Sequence, residues 1–405
     1  MSKVITNSNK IKEVLEKGVE RVYPSVKALE KVLTSGKRIR LYCGFDPTAP
    51  SLHIGNAIQI RKLAQFQKLG HEVIFLIGDF TAMIGDPTDK IAARKRLTKE
   101  QIKKNFKIYK KQASKILKFS GSNPAKIMFN STWNSKLTYS QVINLAFNFT
   151  VQQMLARNMF KQRLKKDKLI FLPEFLYPLS QAYDSVAMNV DLEIGGNDQM
   201  FNMLRGRDLI RKLKNKEKFV LTTKLLTDPR GQKIGKTEKG TIFLDEKPKE
   251  MYGEIMAWPD SLIIPGLELC TDLSIEQVKR IGKQIKDKRV NPRDIKSKLA
   301  REIVSTHHGK IAAVEAEREF NRIFKEKKVP SKIKAFSRKA TMGITDTSSL
   351  VVKTGLASSK SEAKRLILQR AVRLDNKIIT DWQQKIVPKK GMILQVGKRR
   401  FIKLI

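Results

Sequence analysis

Apolar residues recur along this chain in two alternating rhythms. Near the N-terminus Ile11, Val14, Leu15 and Val19 fall at helical spacing, so residues 1–40 read as amphipathic helix leading into a basic turn. Arg40-Leu-Tyr-Cys-Gly-Phe45 is a short strand closed by Asp46-Pro-Thr-Ala-Pro50, a run that cannot be helix. From 54 to 69 the period returns to helical and stops at Gly70. Val73-Ile-Phe-Leu-Ile77 is continuously apolar, as in a strand buried on both faces. Strand, helix and strand in such quick succession form a βαβ unit of a parallel sheet. Helix and strand continue to alternate as far as Thr241-Ile-Phe-Leu244. Past Met251 the pattern is helical almost throughout to about Lys332, and 337–347 is polar and linker-like. The end of the chain then changes character. One helix over 359–370 precedes short strands broken at Asp375-Asn376, Lys389-Lys390-Gly391 and Gly397. The expected organisation is an α/β parallel-sheet domain over 1–244, an α-helical domain over 245–335, a linker at 336–347 and a small α+β domain over 348–405.

Composition sharpens this picture. With 405 residues and 41% apolar content, the chain can bury two or three cores. Its formal net charge of +42 points to a polyanionic partner. A lysine-rich genome that places lysine on every surface would give a similar total, since lysine is scattered throughout. Cys43 and Cys270 stand far apart without metal-like spacing, which argues against a disulfide framework or a zinc site. No apolar run approaches the ~20 residues of a membrane span. Residues 1–10 are polar and lack a signal-peptide core, so a cytoplasmic location and no membrane partner are expected.

Five segments carry candidate chemistry. Gly44-Phe-Asp46-Pro-Thr48, followed by His53-Ile-Gly55-Asn56, lies where a parallel strand ends and a helix begins. Ligands bind at such strand ends, and helix starts attract anions through free backbone N–H groups. Gly55 leaves room for a flat base to approach the backbone. Gly78-Asp79 and Ile84-Gly-Asp86-Pro87 border the same crevice, where Asp86 is placed to take an ammonium group. Spacings of four and three put Tyr177, Gln181 and Asp184 on one helix face, as in a pocket wall. Glu193-Ile-Gly-Gly196-Asn-Asp198-Gln199 offers a close backbone approach with Asp198 set for a ribose hydroxyl or an amine. Lys233-Ile-Gly-Lys236-Thr237 puts two cations in a Gly-containing loop. Each segment alone also fits a capped turn, a tight turn or a solvated charge run. Neither the Gly-x4-Gly-Lys phosphate loop nor the Gly-x-Gly-x-x-Gly dinucleotide signature is present.

Taken in order, Tyr42-Cys-Gly-Phe-Asp-Pro-Thr48, His53-Ile-Gly-Asn56, Ile84-Gly-Asp-Pro87, the Tyr177/Gln181/Asp184 face, Gly195-Gly-Asn-Asp-Gln199 and the lysine loop resemble the bacterial-type tyrosyl-tRNA synthetases, a group of class I aminoacyl-tRNA synthetases. The resemblance covers essentially the whole chain and implies a Rossmann-like catalytic domain. It implies that Tyr42 and Asp184 hydrogen-bond the phenol of L-tyrosine, while Asp86, Tyr177 and Gln181 hold its ammonium and Gln199 its carboxylate. It assigns Asp198 to the ribose of ATP, and Thr48 and His53 to the γ-phosphate. It further implies that Lys233, Lys236 and Thr237 close over the pyrophosphate, with Gly44, Asp46, Gly55, Asn56 and Gly196 lining the adenylate site. Mg²⁺ is expected with ATP, although no protein ligand set for it is evident. Two departures stand out: Asn56 replaces a commoner second histidine, and Lys-Ile-Gly-Lys-Thr replaces Lys-Met-Ser-Lys-Ser.

Residues 342–405 hold 14 Lys and Arg against four acids. The stretch from Leu350 to Ile367 resembles the S4-type RNA-binding module. Lys360, Lys364, Arg365, Lys398, Arg399 and Arg400 are its expected phosphate contacts, supplying affinity and orientation without reading sequence. By the same resemblance the helical region faces the anticodon side of tRNA(Tyr) and the enzyme works as a homodimer. The competing reading is a synthetase-like RNA-binding protein without aminoacylation activity.

Overall fold

The computed structural model describes all residues except 1–2, 89–96, 228–230, 232–233, 235–240, 327–328, 331–332, 338–342, 344 and 398–399. Two compact units divide at 310/311, inside the helical stretch expected over 245–335.

In the first unit β1 (Val19–Tyr23), β2 (Arg40–Phe45), β3 (Glu72–Ile77), β4 (Lys126–Phe129), β5 (Leu192–Gly196) and β6 (Phe219–Thr223) form one sheet. Its order is β1-β6-β5-β2-β3-β4, and all neighbours are parallel except the edge pair β1 and β6. The sheet grows outward in opposite directions from β2 and β5, so the switch point lies between them. β2 pairs with β3 from Arg40↔Glu72 to Phe45↔Ile77, but with β5 only at Leu41↔Leu192 and Tyr42↔Glu193. A crevice opens beyond those pairs.

The continuous apolar runs become central strands because helices cover both faces. The helix Ile54–Lys68 buries Ile60, Leu63 and Phe66 in the main core, together with Phe45 and Phe75, whose rings stack 4.4 Å apart. Tyr42, Ile74 and Leu76 face a separate cluster with Met188 and Val190.

Two expectations needed correction. Residues 1–40 hold the helices Ser8–Glu16 and Val26–Thr34 with β1 between them. Gly18 takes φ +64°, which ends the first helix, and Ser25 caps the second by accepting from the Ala28 N–H. Thr241–244 adds no strand to the sheet. Instead Ile54 N–H donates to the Ile242 carbonyl and Leu244 N–H to the Leu52 carbonyl, tying this segment to the start of the His53 helix.

Past Met251 the chain is helical, with Pro248–Met256, Ile263–Cys270, Ile275–Lys286, Pro292–His308 and Lys310–Phe324. In the second unit β7 (Lys334–Phe336), β8 (Thr345–Asp346), β9 (Val372–Leu374), β10 (Lys377–Ile378), β11 (Lys385–Ile386), β12 (Ile393–Val396) and β13 (Arg400–Leu404) form sheets of order β10-β9-β12-β13-β7 and β11-β8. Its core comes from the helices Thr347–Lys353 and Lys360–Leu368 with the strands, through Leu350, Ile367, Val372, Leu394, Ile402 and Leu404. The segment expected to be linker therefore contributes at both ends. Phe336 packs on that core, and Asp346 caps the helix Thr347–Lys353 through the Ser349 N–H at 2.8 Å. Polarity at Asp346 is capping chemistry, which a composition reading takes for a linker.

Candidate active site

A cavity of about 1240 Å³ opens at the carboxyl ends of β2, β3 and β5. Every described residue assigned above to tyrosine or ATP lines it: Tyr42, Gly44, Asp46, Thr48, His53, Gly55, Asn56, Asp86, Tyr177, Gln181, Asp184, Gly196, Asp198 and Gln199. Lys233, Lys236 and Thr237 lie outside the described residues. Ile234 and Thr241, on either side of Lys236, both line this cavity.

The base of the cavity holds buried polar groups. Asp184, on the helix Pro173–Ala187, accepts from Trp133 Nε1 at 2.7 Å, Asn134 Nδ2 at 2.9 Å and Asn130 Nδ2 at 3.1 Å. Burial lifts its carboxyl to about 8, against three N–H donors that favour the anion. Tyr42 shares a 3.0 Å hydrogen bond with Ser185 Oγ. Burial and the Glu193 carboxylate raise its phenol well above the ordinary tyrosine range, so it stays neutral. The phenol and the carboxyl both line the cavity. The supporting Asn130, Trp133 and Asn134 were missed in the sequence. Their one signal was their place just beyond β4, a strand end like those carrying the other site residues.

The middle of the cavity is acidic. Asp46 accepts from Thr81 Oγ1 at 2.8 Å and from Tyr177 Oη at 2.9 Å, so Tyr177 is tied to Asp46. A side chain at Gly78 would put its Cβ 2.0 Å from Asp46 Oδ1, which explains the glycine there. Asp86 accepts from Thr88 Oγ1 at 2.6 Å and from Gln199 Nε2 at 2.7 Å, and Arg157 in turn donates to Thr88 at 2.8 Å. Asp79 does other work: it accepts from the Ser131 N–H and hydroxyl.

The remaining wall is the start of the helix Ile54–Lys68. His53 caps it, its Nδ1 accepting from the Gly55 N–H at 3.1 Å, while Asn56 Oδ1 accepts from the His53 N–H at 3.0 Å. This reciprocal capping box fixes both side chains at a positive helix end. Asn56 thus does structural work that its place in the motif did not disclose.

In the second unit Lys360, Lys364 and Arg365 are exposed on the helix Lys360–Leu368. Lys364 Nζ sits 4.4 Å from the Trp382 ring centroid, and Arg400 donates to the Leu356 carbonyl at 2.7 Å. Lys398 and Arg399 lie outside the described residues.

Among the described residues no group of three or more His, Cys, Asp or Glu side chains could hold a metal ion, and no helix is long and apolar enough to cross a membrane.

Comparison with known proteins agrees with this geometry. Residues 34–325 match the family described as tRNA synthetases class I (W and Y), and 349–389 match the S4 domain. The tyrosine–tRNA ligase of Carboxydothermus hydrogenoformans is 42% identical, over 97% of each chain. Tyrosine–tRNA ligase 2 of Clostridium acetobutylicum is 40% identical, over 97% of this chain and 98% of the relative. Among solved structures, a C-terminally truncated mitochondrial tyrosyl-tRNA synthetase of Aspergillus nidulans superposes with TM-score 0.66 at 25% identity, covering 78% of this chain and 94% of that one.

Proposed function

We infer that this chain, which belongs to the class I tRNA synthetases (W and Y) and carries an S4 domain, is a tyrosine–tRNA ligase. The observation that carries the choice of tyrosine is the buried pair of Tyr42 and Asp184 at the base of the cavity. Both already bond to protein groups, and the hydrogen-bonding capacity left over at the cavity is met by a substrate hydroxyl. Phenylalanine would leave that capacity unused, and sites built to bond a substrate hydroxyl discriminate by roughly 10⁵, a figure that comes from this same enzyme class.

Tyrosine lies with its phenol on Tyr42 and Asp184 and its ammonium among Asp86, Tyr177 and Gln181. Asp46, bonded to Tyr177, borders both the ammonium and the adenylate positions. Gln199 steers the carboxylate, which attacks the α-phosphorus of ATP in line, forming tyrosyl-adenylate and expelling pyrophosphate. Asp198 holds the ribose, with Gly44, Gly55, Asn56 and Gly196 giving the nucleotide backbone-close seating. Gly196 also makes room for Asp198, whose Oδ1 would stand 2.5 Å from a Cβ at that position. Thr48 and His53 meet the γ-phosphate, joined by Lys233, Lys236 and Thr237 as charge builds on the leaving group. Mg²⁺ enters with the ATP phosphates. A hydroxyl of the 3′-terminal ribose of tRNA(Tyr) then attacks the acyl carbon and releases AMP. Positioning and fixed charge supply the catalysis, with no covalent enzyme intermediate.

The domains divide this work as 1–244 for catalysis, 245–335 for the anticodon side, 336–347 as linker and 348–405 for RNA affinity. Lys360, Lys364, Arg365, Lys398, Arg399 and Arg400 meet tRNA phosphates. A homodimer accounts for the exposed Tyr139, Phe147, Val151, Leu169 and Leu172, apolar side chains that a monomer would leave in water. The site of action is the cytoplasm.

The test is ATP-dependent attachment of labelled tyrosine to bacterial tRNA. Attachment of tyrosine, with none of phenylalanine or tryptophan, is expected. Retention of tRNA without attachment would move the chain to a binding protein that has lost aminoacylation.

A further inference from the structure

One lining residue of the cavity, Glu193, belongs to an ion pair to which the reaction assigns no role. Lys218 is fully buried, and its Nζ donates to the Glu193 carboxylate, to Ser185 Oγ at 2.7 Å and to the Met203 carbonyl at 3.2 Å. All three ammonium donors thus have an acceptor. The space was cleared for it: a Cβ at Gly206 would stand 2.5 Å from Lys218 Nζ and 2.8 Å from Ser185 Oγ. A buried pair of this kind adds little stability compared with well-packed apolar residues, so its retention asks for another explanation.

The other carboxylate oxygen supplies one. Glu193 Oε1 accepts from Gln181 Nε2 at 3.0 Å. With one carboxylate oxygen accepting from Lys218 and the other facing Gln181, Glu193 draws the NH₂ end of the Gln181 amide and turns the carbonyl end the other way. Gln181 Oε1 is buried and has no protein hydrogen-bond partner among the described residues, and the residue lines the cavity. It is an acceptor held in readiness for a donor.

We propose that the Glu193–Lys218 pair is a positioning device that fixes the Gln181 amide with its oxygen toward the substrate, and so sets the enzyme's preference for a primary ammonium group. This rests on the reading that Gln181 takes the tyrosine ammonium. The same pair reaches Tyr42 through Ser185, linking the two ends of the amino-acid site.

The test compares two partial ligands of the full-length enzyme: tyramine, which keeps the amine and lacks the carboxylate, and 3-(4-hydroxyphenyl)propionate, which keeps the carboxylate and lacks the amine. Both are measured as inhibitors competing with tyrosine in pyrophosphate exchange. Glu193→Gln leaves Lys218 unpaired and risks folding, so the main variant is the neutral double substitution Glu193→Gln with Lys218→Met. A glutamine there offers either end of its amide to Gln181 and no longer dictates the flip. The double variant is expected to lose tenfold or more in tyramine affinity while 3-(4-hydroxyphenyl)propionate binds within twofold of the parent and KM for ATP is unchanged. Equal weakening of both ligands, or of neither, would overturn the proposal, since general damage to the pocket does not distinguish an amine. Gln181→Ala is the control for the underlying reading. If it abolishes the tyramine preference while the double variant keeps it, the pair is not the positioning device and Gln181 remains the amine ligand. If Gln181→Ala keeps the preference, the ammonium assignment itself fails and the proposal with it.

Discussion

Asp184 couples a buried hydrogen-bond network to the dependence of stability on pH. Three N–H donors hold the carboxyl in place, yet burial raises it from 3.8 to about 8. Between those pH values the folded chain holds a proton there that the unfolded chain has released. The native state then binds more protons, so this group's contribution to stability is lost as pH rises through that window. Urea denaturation from pH 5 to pH 8.5 should show the parent losing stability more steeply than Asp184→Asn, which has no such proton to lose. Parallel slopes would mean that Asp184 is ionised across the range. At this scale the sequence disclosed residues that line the cavity but not their partners. Tyr177, Gln181 and Asp184 were legible because helical spacing sets them on one face. The join of Tyr177 to Asp46 was not legible, because it crosses 131 residues and no local spacing encodes it.

Elements were legible where period and burial agree. β2, β3 and the helix Ile54–Lys68 carry apolar patterns long enough to read. β1 was missed because only Val22 of its five residues is buried, which leaves an edge strand without an alternating signature. The segment 241–244 looked like a strand, but its backbone is spent on fastening the His53 helix start. That fastening matters for function, since the same helix start carries His53 and Asn56 into the cavity. Asn56→Ala removes half of the capping box. It should cost about 1 kcal/mol in urea denaturation and lower the rate of adenylate formation by loosening His53. An unchanged rate together with the stability loss would limit Asn56 to helix capping.

Across the whole molecule the +42 charge is spread so widely that sequence could not separate an RNA surface from general basicity. The second unit makes a division testable, because its core draws only on residues from 336 onward. Ending the chain before Lys334, the first residue of β7, should leave tyrosine-dependent adenylate formation intact. It should weaken tRNA charging and flatten its dependence on salt as phosphate contacts are lost. Unchanged charging would remove the RNA role from this unit. The apolar surface around Phe147 makes a separate prediction for the proposed homodimer: the parent should sediment as a dimer and Phe147→Asp should shift it toward monomer, and a dimer of unaltered mass in the variant would place the interface elsewhere.

As a tyrosine–tRNA ligase the protein selects tyrosine and activates it with ATP. Amino-acid-dependent ATP–pyrophosphate exchange tests it most directly, run on the full chain with tyrosine, phenylalanine and tryptophan in parallel. Rapid exchange with tyrosine and background rates with the other two are predicted. Comparable exchange with phenylalanine, or none with tyrosine from folded protein, would contradict the account.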